Sequence, residues 1–286
     1  MHVLITGARG QLGSDCVKAA RARGWTVSAV GRDDFDLTEV EASTCVLQRL
    51  QPHAILHCAA YTAVDQAEDE PSLAYAVNAA ATQTLADYCA RAGAWLCYIS
   101  TDYVFDGSGT RPRGTDETPE PINTYGKTKL AGERAAGSCA KHMIVRTSWV
   151  FGRGGGNFVK TMLRLGAERE EVRVVADQIG SPTYTVDLAR LLCDMLAKPI
   201  PGIYHATNAN GCSWADFAEE IFRQAGLPAR VARIASKDYP QKAARPKNSR
   251  LSPASLARAG YESLPPWQDA LKRFLAEIKG DSKNNS

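Results

Sequence analysis

The sequence has little of what marks membrane or nucleic-acid-binding proteins. Its 286 residues carry a formal net charge of only +3, too small a basic excess to predict binding to nucleic acid. No apolar run reaches the roughly 18 residues that a membrane-spanning helix needs, so we expect no association with a membrane. The chain enters a strand-like segment at His2 without a signal-peptide pattern. We therefore expect a globular cytoplasmic protein.

Cysteine and histidine are scattered. The eight cysteines form no Cys-x-x-Cys pair, and the five histidines show no spacing typical of metal ligands. Free cysteines in apolar surroundings behave as small hydrophobic residues, and disulfides are rare in reducing compartments. The sequence therefore predicts reduced thiols and no structural metal site.

Short apolar runs alternate with helical patterns through residues 1–150. Strands are predicted at residues 2–6, 26–30, 54–58, 95–99 and 143–146, and helices at residues 12–23, 39–50, 72–91 and 125–136. Such alternation is typical of a doubly wound parallel α/β sheet, so we expect a Rossmann-like, NAD(P)-binding domain over 1–150. The pattern loosens over 151–286, which we expect to form mainly a smaller α/β substrate-binding lobe, with chain crossings between the lobes.

A glycine-rich turn separates the first strand from the first helix. Gly7, Gly10 and Gly13 recur every third residue, and glycine lets a phosphate approach the backbone closely. A strand, such a turn and a helix together place a pyrophosphate at the helix N-terminus. This arrangement predicts a dinucleotide site.

The second predicted strand ends in Gly31-Arg32, where NAD-binding folds often have an acid for the ribose hydroxyls. An arginine there can accept the 2′-phosphate of NADPH, although Arg32 could also be a solvated loop cation. Asp33 and Asp34 follow, and either point to solvent or pair with Arg32. We expect NADPH to be used at least as well as NADH. Thr38 is a plausible N-cap for the next helix.

Tyr125 and Lys129 are four residues apart, so on a helix they share a face. A nearby ammonium favours the phenolate and lowers the tyrosine pKa, which suits proton exchange with a substrate oxygen. Hydroxyls at Ser100 and Thr101 follow the fourth strand and would face the same cleft. Each feature alone has an ordinary structural explanation, as a solvated helix or a turn.

Together the motifs resemble the extended short-chain dehydrogenase/reductase superfamily, and more narrowly the dTDP-4-dehydrorhamnose reductase family. The resemblance runs from residue 2 to about 275 and rests on segments 6–13, 59–68, 100–105, 125–133, 146–150, 157–158, 177–183 and 245–251.

That resemblance implies hydride transfer from NADPH or NADH to C4 of dTDP-4-dehydro-β-L-rhamnose, giving dTDP-L-rhamnose in the last step of its synthesis. Tyr125 would protonate the alkoxide, Lys129 would lower its pKa and hold the nicotinamide ribose, and Thr101 would bind the C4 oxygen. The implied cofactor contacts are Gly10, Gln11, Leu12, Asp36, Leu37, Ala60, Tyr61 and Thr62, to which the patterns described above add Gly7, Gly13 and Arg32. The implied substrate contacts are Thr101, Asp102, Trp149, Asn157 and Arg245, the last also explicable as part of a solvated basic loop.

Two other functions stay open. One is a related nucleotide-sugar epimerase or dehydratase, although Tyr103 stands where a dehydratase would carry a glutamate. The other is a non-catalytic subunit like the regulatory subunit of methionine adenosyltransferase, although Thr101, Tyr125 and Lys129 are all present. Some family members are magnesium-dependent dimers. No carboxylate cluster in the sequence requires Mg²⁺, so metal binding and a homodimer are left open.

Overall fold

The computed structural model describes residues 1–34, 36–239 and 241–284. The strands within these ranges are β1 (His2–Thr6), β2 (Thr26–Val30), β3 (Ala54–His57), β4 (Trp95–Thr101), β5 (His142–Thr147), β6 (Val150–Phe151), β7 (Glu171–Val175), β8 (Ile179–Gly180), β9 (Thr183–Tyr184), β10 (Gly202–His205), β11 (Cys212–Ser213) and β12 (Arg230–Ile234). The α-helices are α1 (Gln11–Ala22), α2 (Val40–Leu50), α3 (Pro71–Tyr75), α4 (Ala81–Ala92), α5 (Thr124–Gly137), α6 (Phe158–Glu168), α7 (Thr185–Ala197), α8 (Trp214–Ala225), α9 (Ala254–Arg258) and α10 (Trp267–Asn284).

Six strands form a sheet in the order β10-β5-β4-β3-β1-β2. Every neighbouring pair is parallel. After β1 the chain forms β2 on one side, then crosses β1 to form β3 on the other. Ligands of open α/β sheets bind at such a switch point, beyond the carboxyl ends of the strands. The predicted doubly wound, Rossmann-like sheet is confirmed.

Alternating side chains of each strand enter two different cores, because successive residues of a strand point to opposite faces. Val3 and Ile5 pack with α1 and α7 on one face. Leu4 packs with α2, α4 and α5 on the other. The sheet is therefore covered on both faces, as its nearly continuous apolar strands require.

The later part of the chain contributes to both halves of the fold. Strand β10 pairs with β5 at the sheet edge, and α7 packs against α1, so the chain returns to the first sheet after residue 180. Helices α6, α8 and α10 enclose a separate core with the short strands β6, β7, β9 and β12. These returns are chain crossings of the expected kind. The domain boundary at residue 150 stays a prediction.

The helix predicted from Ser72 to Arg91 is interrupted. Residues Ala76–Ala80 form a π-helical segment between α3 and α4, a feature often found near functional sites. The predicted cap at Thr38 is also wrong, because the N-cap of α2 is Glu39. The Thr38 backbone N–H and hydroxyl instead donate to Asp36 Oδ1 at 2.9 and 2.8 Å, which lowers the pKa of Asp36.

All eight cysteines are free. Cys45 on α2 is exposed, Cys58 after β3 is half-buried, and the other six are buried. Burial raises the pKa of Cys16, Cys97 and Cys193, with Cys193 at about 11. Of the helices in the described ranges, none is long and apolar enough to cross a membrane.

Candidate active site

A cleft of about 740 Å³ opens at the carboxyl ends of the parallel strands. The structure brings most of the residues singled out in the sequence to its wall. These are Gly7, Gly10, Gln11, Leu12, Arg32, Asp36, Leu37, Ala60, Tyr61, Thr62, Thr101, Asp102, Tyr125, Lys129 and Trp149. The cleft is therefore the candidate active site.

The glycine-rich turn has no room for side chains. Gly7 has φ +62°, and a Cβ atom there would lie 2.7 Å from the Ala59 nitrogen. A Cβ atom at Gly13 would lie 2.1 Å from the Gly7 carbonyl oxygen, so Gly13 has a packing role beneath the turn. Gly10 is the N-cap of α1 and has no side chain to cap it. The first-turn amides can therefore serve a phosphate, and the turn fits a dinucleotide.

At the end of β2 the two acids pair with Arg9 and not, as one expectation had it, with Arg32. The Arg9 guanidinium donates to Asp33 and to Asp34. Arg9 and Arg32 both line the cleft. Because Arg9 pairs with both Asp33 and Asp34, the Arg32 guanidinium on the cleft wall is a candidate to bind the 2′-phosphate of NADPH.

Tyr125 enters the cleft from the first turn of α5. The helix is capped by Asn123, whose Oδ1 accepts from Gly126 N at 2.8 Å. Burial raises the pKa of Tyr125 well above its ordinary value, and the neighbouring Thr101 hydroxyl opposes that rise. The direction is opposite to the lowering expected from Lys129, because removing water disfavours the phenolate.

Lys129 is a buried lysine one turn further along α5. Its Nζ donates to the Ile99 carbonyl at 2.7 Å and lies 4.1 Å from the centre of the Tyr98 ring. Burial lowers the pKa of Lys129 to about 7, while the Glu133 carboxylate acts to raise it. The ammonium is thus held at the strand end beneath the cleft.

Glu133 belongs to a buried network. Arg146 donates to both of its carboxylate oxygens, at 2.8 and 2.7 Å, and Ser100 Oγ donates at 2.5 Å. Both members of the ion pair have nearly fully buried side chains, with 2% and 4% of their surface exposed. This pair links α5 to the ends of β4 and β5, which fixes Lys129 relative to the strands.

Asp102 is a buried carboxyl group on the cleft wall. Thr101 Oγ1 donates to its Oδ1 at 2.9 Å, and Oδ2 is buried without a hydrogen-bond partner among the described residues. Burial raises the pKa of Asp102 to about 6. An unpaired buried oxygen is suited to accept a hydrogen bond from a ligand hydroxyl.

Asn78, in the π-helical segment, was not among the predicted site residues. Its Oδ1 accepts from Tyr61 N at 2.9 Å, and its Nδ2 donates to Tyr61 O at 3.2 Å and Thr128 Oγ1 at 3.0 Å. Asn78 therefore holds the backbone of the cleft wall against α5. The available signal was an asparagine inside an otherwise apolar helical pattern, where this residue is disfavoured.

Trp149 follows β5 with φ +48°, in the left-handed region that is uncommon for residues with a side chain. Its ring stacks on Trp214, with the ring centres 3.5 Å apart and the planes 9° apart. Trp214 also lines the cleft and was missed from the sequence.

Two predicted substrate residues have partners in the protein. Asn157 caps α6 by accepting from Lys160 N at 3.0 Å, and its Nδ2 donates to Gln11 Oε1 at 2.9 Å. Arg245 donates to the two carboxylate oxygens of Asp65, at 2.9 and 2.7 Å. Neither Asn157 nor Arg245 is among the residues that line the cleft in the described part of the chain, and their predicted contacts with substrate stay predictions.

Comparison with known proteins decides the family. The family described as "RmlD substrate binding domain" matches residues 1–279. The chain belongs to this family. Among its relatives is the dTDP-4-dehydrorhamnose reductase of Streptomyces griseus, 45% identical over 97% of this chain and 94% of that protein. The enzyme of the same name from Escherichia coli is 39% identical over 97% of this chain and 98% of its own.

A solved family structure gives the same fold. The crystal structure of dTDP-4-dehydrorhamnose reductase from Bacillus anthracis, in complex with NADP, superposes with a TM-score of 0.94. It is 42% identical and covers 96% of this chain and 99% of that one. As a family member, the chain is expected to place a nicotinamide cofactor in its cleft. Within the described ranges, no three His, Cys, Asp or Glu side chains come together as metal ligands would.

Proposed function

We propose that the chain is an NAD(P)H-dependent oxidoreductase that reduces the C4 keto group of dTDP-4-dehydro-β-L-rhamnose to give dTDP-L-rhamnose. One observation carries the proposal. In a member of the RmlD family, the hydroxyls of Thr101 and Tyr125 meet on the wall of a cleft large enough for a dinucleotide and a sugar.

The proposed roles follow from the charge that develops in the reaction. The cofactor, when bound, supplies the hydride. The carbonyl oxygen gains negative charge, and hydroxyl donors from Thr101 and Tyr125 stabilise it. Tyr125 then gives its proton to the new alkoxide. Because its pKa is raised, Tyr125 stays protonated until the substrate alkoxide forms and accepts the proton.

Lys129 and Asp102 complete the proposed site. Lys129, fixed by the Ile99 carbonyl and the Glu133–Arg146 pair, would hold the nicotinamide ribose hydroxyls and favour proton release from Tyr125 by its charge. Asp102 Oδ2 would accept a hydrogen bond from a sugar hydroxyl. The remainder of the cofactor would be held by the backbone amides of the first turn of α1, beginning at Gln11, and by Asp36, Leu37 and residues 60–62.

Arg245, Asn157 and Trp149 are the proposed contacts on the sugar-nucleotide side. Asp65 orients the Arg245 guanidinium, which could still offer its remaining donors to a diphosphate oxygen. We place the enzyme in the cytoplasm. No step of the proposed mechanism uses Mg²⁺ or a second subunit.

A direct reductase assay tests the proposal. The purified chain is incubated with dTDP-4-dehydrorhamnose and either NADPH or NADH, and the product is identified by chromatography and NMR. We expect cofactor oxidation matched by dTDP-L-rhamnose. An epimerase would instead keep its nicotinamide cofactor bound through purification and would cause no net oxidation of added NADPH or NADH. A non-catalytic binding subunit would convert no keto sugar. Either result would replace the proposal.

A further inference from the structure

Trp149 and its stacked partner Trp214 both line the cleft. Trp149 follows β5, which is three strands away from β1 in the sheet, or about 14 Å at the usual strand spacing. The glycine-rich turn follows β1, and Arg32 follows the strand beyond it. Thr147, two residues before Trp149, pairs with Thr101 of β4, so the indole follows the strand next to the residue proposed to bind the C4 oxygen.

The backbone of Trp149 needs support, because φ +48° is disfavoured for a residue with a side chain. Its carbonyl accepts from Thr183 N at 3.1 Å, and the neighbouring Ser148 Oγ donates to Ser181 O at 2.7 Å. These bonds hold the chain on both sides of Cα. They do not by themselves fix the indole plane.

The plane is set by Trp214, the first residue of α8. Its ring is stacked on Trp149, and Phe158 packs beside it with ring centres 4.5 Å apart. The start of α8 is itself held by a capping box in which Ser213 and Asp216 bond each other's backbone N–H. Trp214 thus stands on a well-anchored helix end.

Gly180 restricts the indole from a second direction. A Cβ atom there would lie 2.4 Å from Trp149 Cε2, a distance that a rigid indole cannot absorb. Gly180 pairs with Cys212 in the β8–β11 ribbon, two residues before Trp214. The ribbon therefore carries Gly180 and leads directly into Trp214, the two residues that limit where the Trp149 ring can lie.

We propose that Trp214 and Gly180 are positioning residues, which hold the Trp149 indole as the wall that packs on the apolar face of the substrate's deoxy sugar. This inference rests on the proposed function. The flat, preformed indole accepts a pyranose lacking a C6 hydroxyl, and the sugar is bound without first ordering an aromatic side chain.

Three variants and one control test the inference. Trp214→Ala removes the stacked ring, Trp214→Phe restores an aromatic face, and Gly180→Ala pushes the indole while leaving Trp214 in place. Trp25→Phe, a half-buried tryptophan outside the cleft, is the matched control. For each we measure KM for dTDP-4-dehydrorhamnose, kcat, Kd for NADPH, and the far-ultraviolet circular dichroism couplet of stacked indoles.

We expect Trp214→Ala and Gly180→Ala each to raise KM for the sugar nucleotide about tenfold, which corresponds to the loss of one aromatic pair. The Kd for NADPH stays within about twofold of wild type, by the same conversion. Trp214→Phe recovers most of KM, and Trp25→Phe changes neither constant. The indole couplet disappears in Trp214→Ala and is perturbed in Gly180→Ala.

An unchanged KM in variants that have lost the couplet would overturn the inference. An equal loss of NADPH affinity would also do so, because it would indicate general damage to the cleft. Should Trp214→Ala fail to fold, Gly180→Ala decides by the same criteria. A wild-type protein that neither reduces the keto sugar nor binds dTDP-L-rhamnose would overturn the proposed function, and this inference with it.

Discussion

Tyr125 and Lys129 lie in surroundings that disfavour charge on either side chain. Burial raises the pKa of Tyr125 and lowers the pKa of Lys129 to about 7. Sequence spacing predicted that the two residues share a helix face, but it could not predict the water content of the site. That content decides the direction of both pKa shifts, and it depends on residues distant in the chain, such as those at the end of β4.

The hydroxyl of Tyr125 is predicted to act as the proton donor. Tyr125→Phe should lower kcat about 10²- to 10⁴-fold, the usual contribution of a general acid, and leave NADPH binding and the melting temperature nearly unchanged. Steady-state kinetics and a cofactor titration measure these effects. Tyr88→Phe, at a buried tyrosine on α4, is the control. Near-normal turnover in Tyr125→Phe would exclude it as the donor.

Lys129 should make the stability of the free protein depend on pH. Below pH 7 both the folded and the unfolded chain carry the ammonium. Above pH 7 and below the ordinary lysine value of 10.5, mainly the unfolded chain binds the proton, so the free energy of unfolding rises with pH. The slope from this residue is at most about 1.4 kcal/mol per pH unit.

Urea denaturation at several pH values checks that slope. Lys129→Met should flatten the dependence between pH 7 and 10 relative to wild type, whereas Lys127→Met, at an exposed lysine of the same helix, should not. Parallel curves for wild type and Lys129→Met would show that the buried lysine does not titrate in this window.

Arg32 is predicted to read the 2′-phosphate of NADPH. Arg32→Ala should weaken NADPH about ten- to a hundredfold, the effect of losing one charge-assisted hydrogen bond, and leave NADH almost unchanged. Comparing kcat/KM for both cofactors tests this. Because Arg9 holds Asp33 and Asp34, Arg9→Ala is an informative companion, as it frees two carboxylates near the phosphate. Equal losses for both cofactors in Arg32→Ala would contradict the prediction.

At the scale of elements, periodicity predicted what is local and missed what is not. The strands and most helices lie within a few residues of their expected positions. The π-helical segment was missed because its apolar spacing over 72–91 is compatible with one regular helix, and the bulge is stabilised by contacts from elsewhere. Asn78 donates to Thr128, fifty residues away. No pattern within the helix carries that information.

The π-helical segment should be stabilised by Asn78. Asn78→Ala removes the three hydrogen bonds of a buried side chain, so we expect a loss of about 1.5–4 kcal/mol in the free energy of unfolding. A raised KM for the cofactor should accompany it, because the Tyr61 backbone is released. Gln83→Ala, at an exposed residue of α4, should change stability by less than about 0.5 kcal/mol. Similar effects of the two substitutions would argue against a role for the segment.

At the scale of the whole molecule, the sequence predicted two lobes but not the route of the chain between them. Strand β10 completes the first sheet from more than fifty residues beyond β5. Nothing within the sequence of a four-residue strand shows which other strand it will pair with. The pairing accompanies the packing of α7 against α1, which is a property of the tertiary fold.

The two lobes are joined by an ion pair between α7 and α10. Arg273 donates to both oxygens of the buried Asp187 at 2.7 Å. Arg273→Leu should lower the free energy of unfolding by about 1.5–3 kcal/mol, the value of hydrogen bonds to a charged group. Removing the same arginine's exposed partner with Asp269→Ala should matter by less than about 0.5 kcal/mol. Calorimetry on both variants measures the difference, and equal shifts would contradict it.

The distribution of the thiols makes the folded protein its own reporter of ligand occupancy. The thiolate is the form that reacts with disulfide reagents, and buried thiols seldom provide it. A chromogenic disulfide should modify Cys45 rapidly and Cys58, which lies on the cleft wall, more slowly. Saturating NADPH should shield Cys58 and leave the rate of Cys45 modification unchanged. Denaturant should expose all eight cysteine thiols to the reagent. The number of thiols modified with and without denaturant would then give the fraction of protein that is folded. The number modified with and without NADPH would give the fraction that has bound cofactor, on the same unmutated sample.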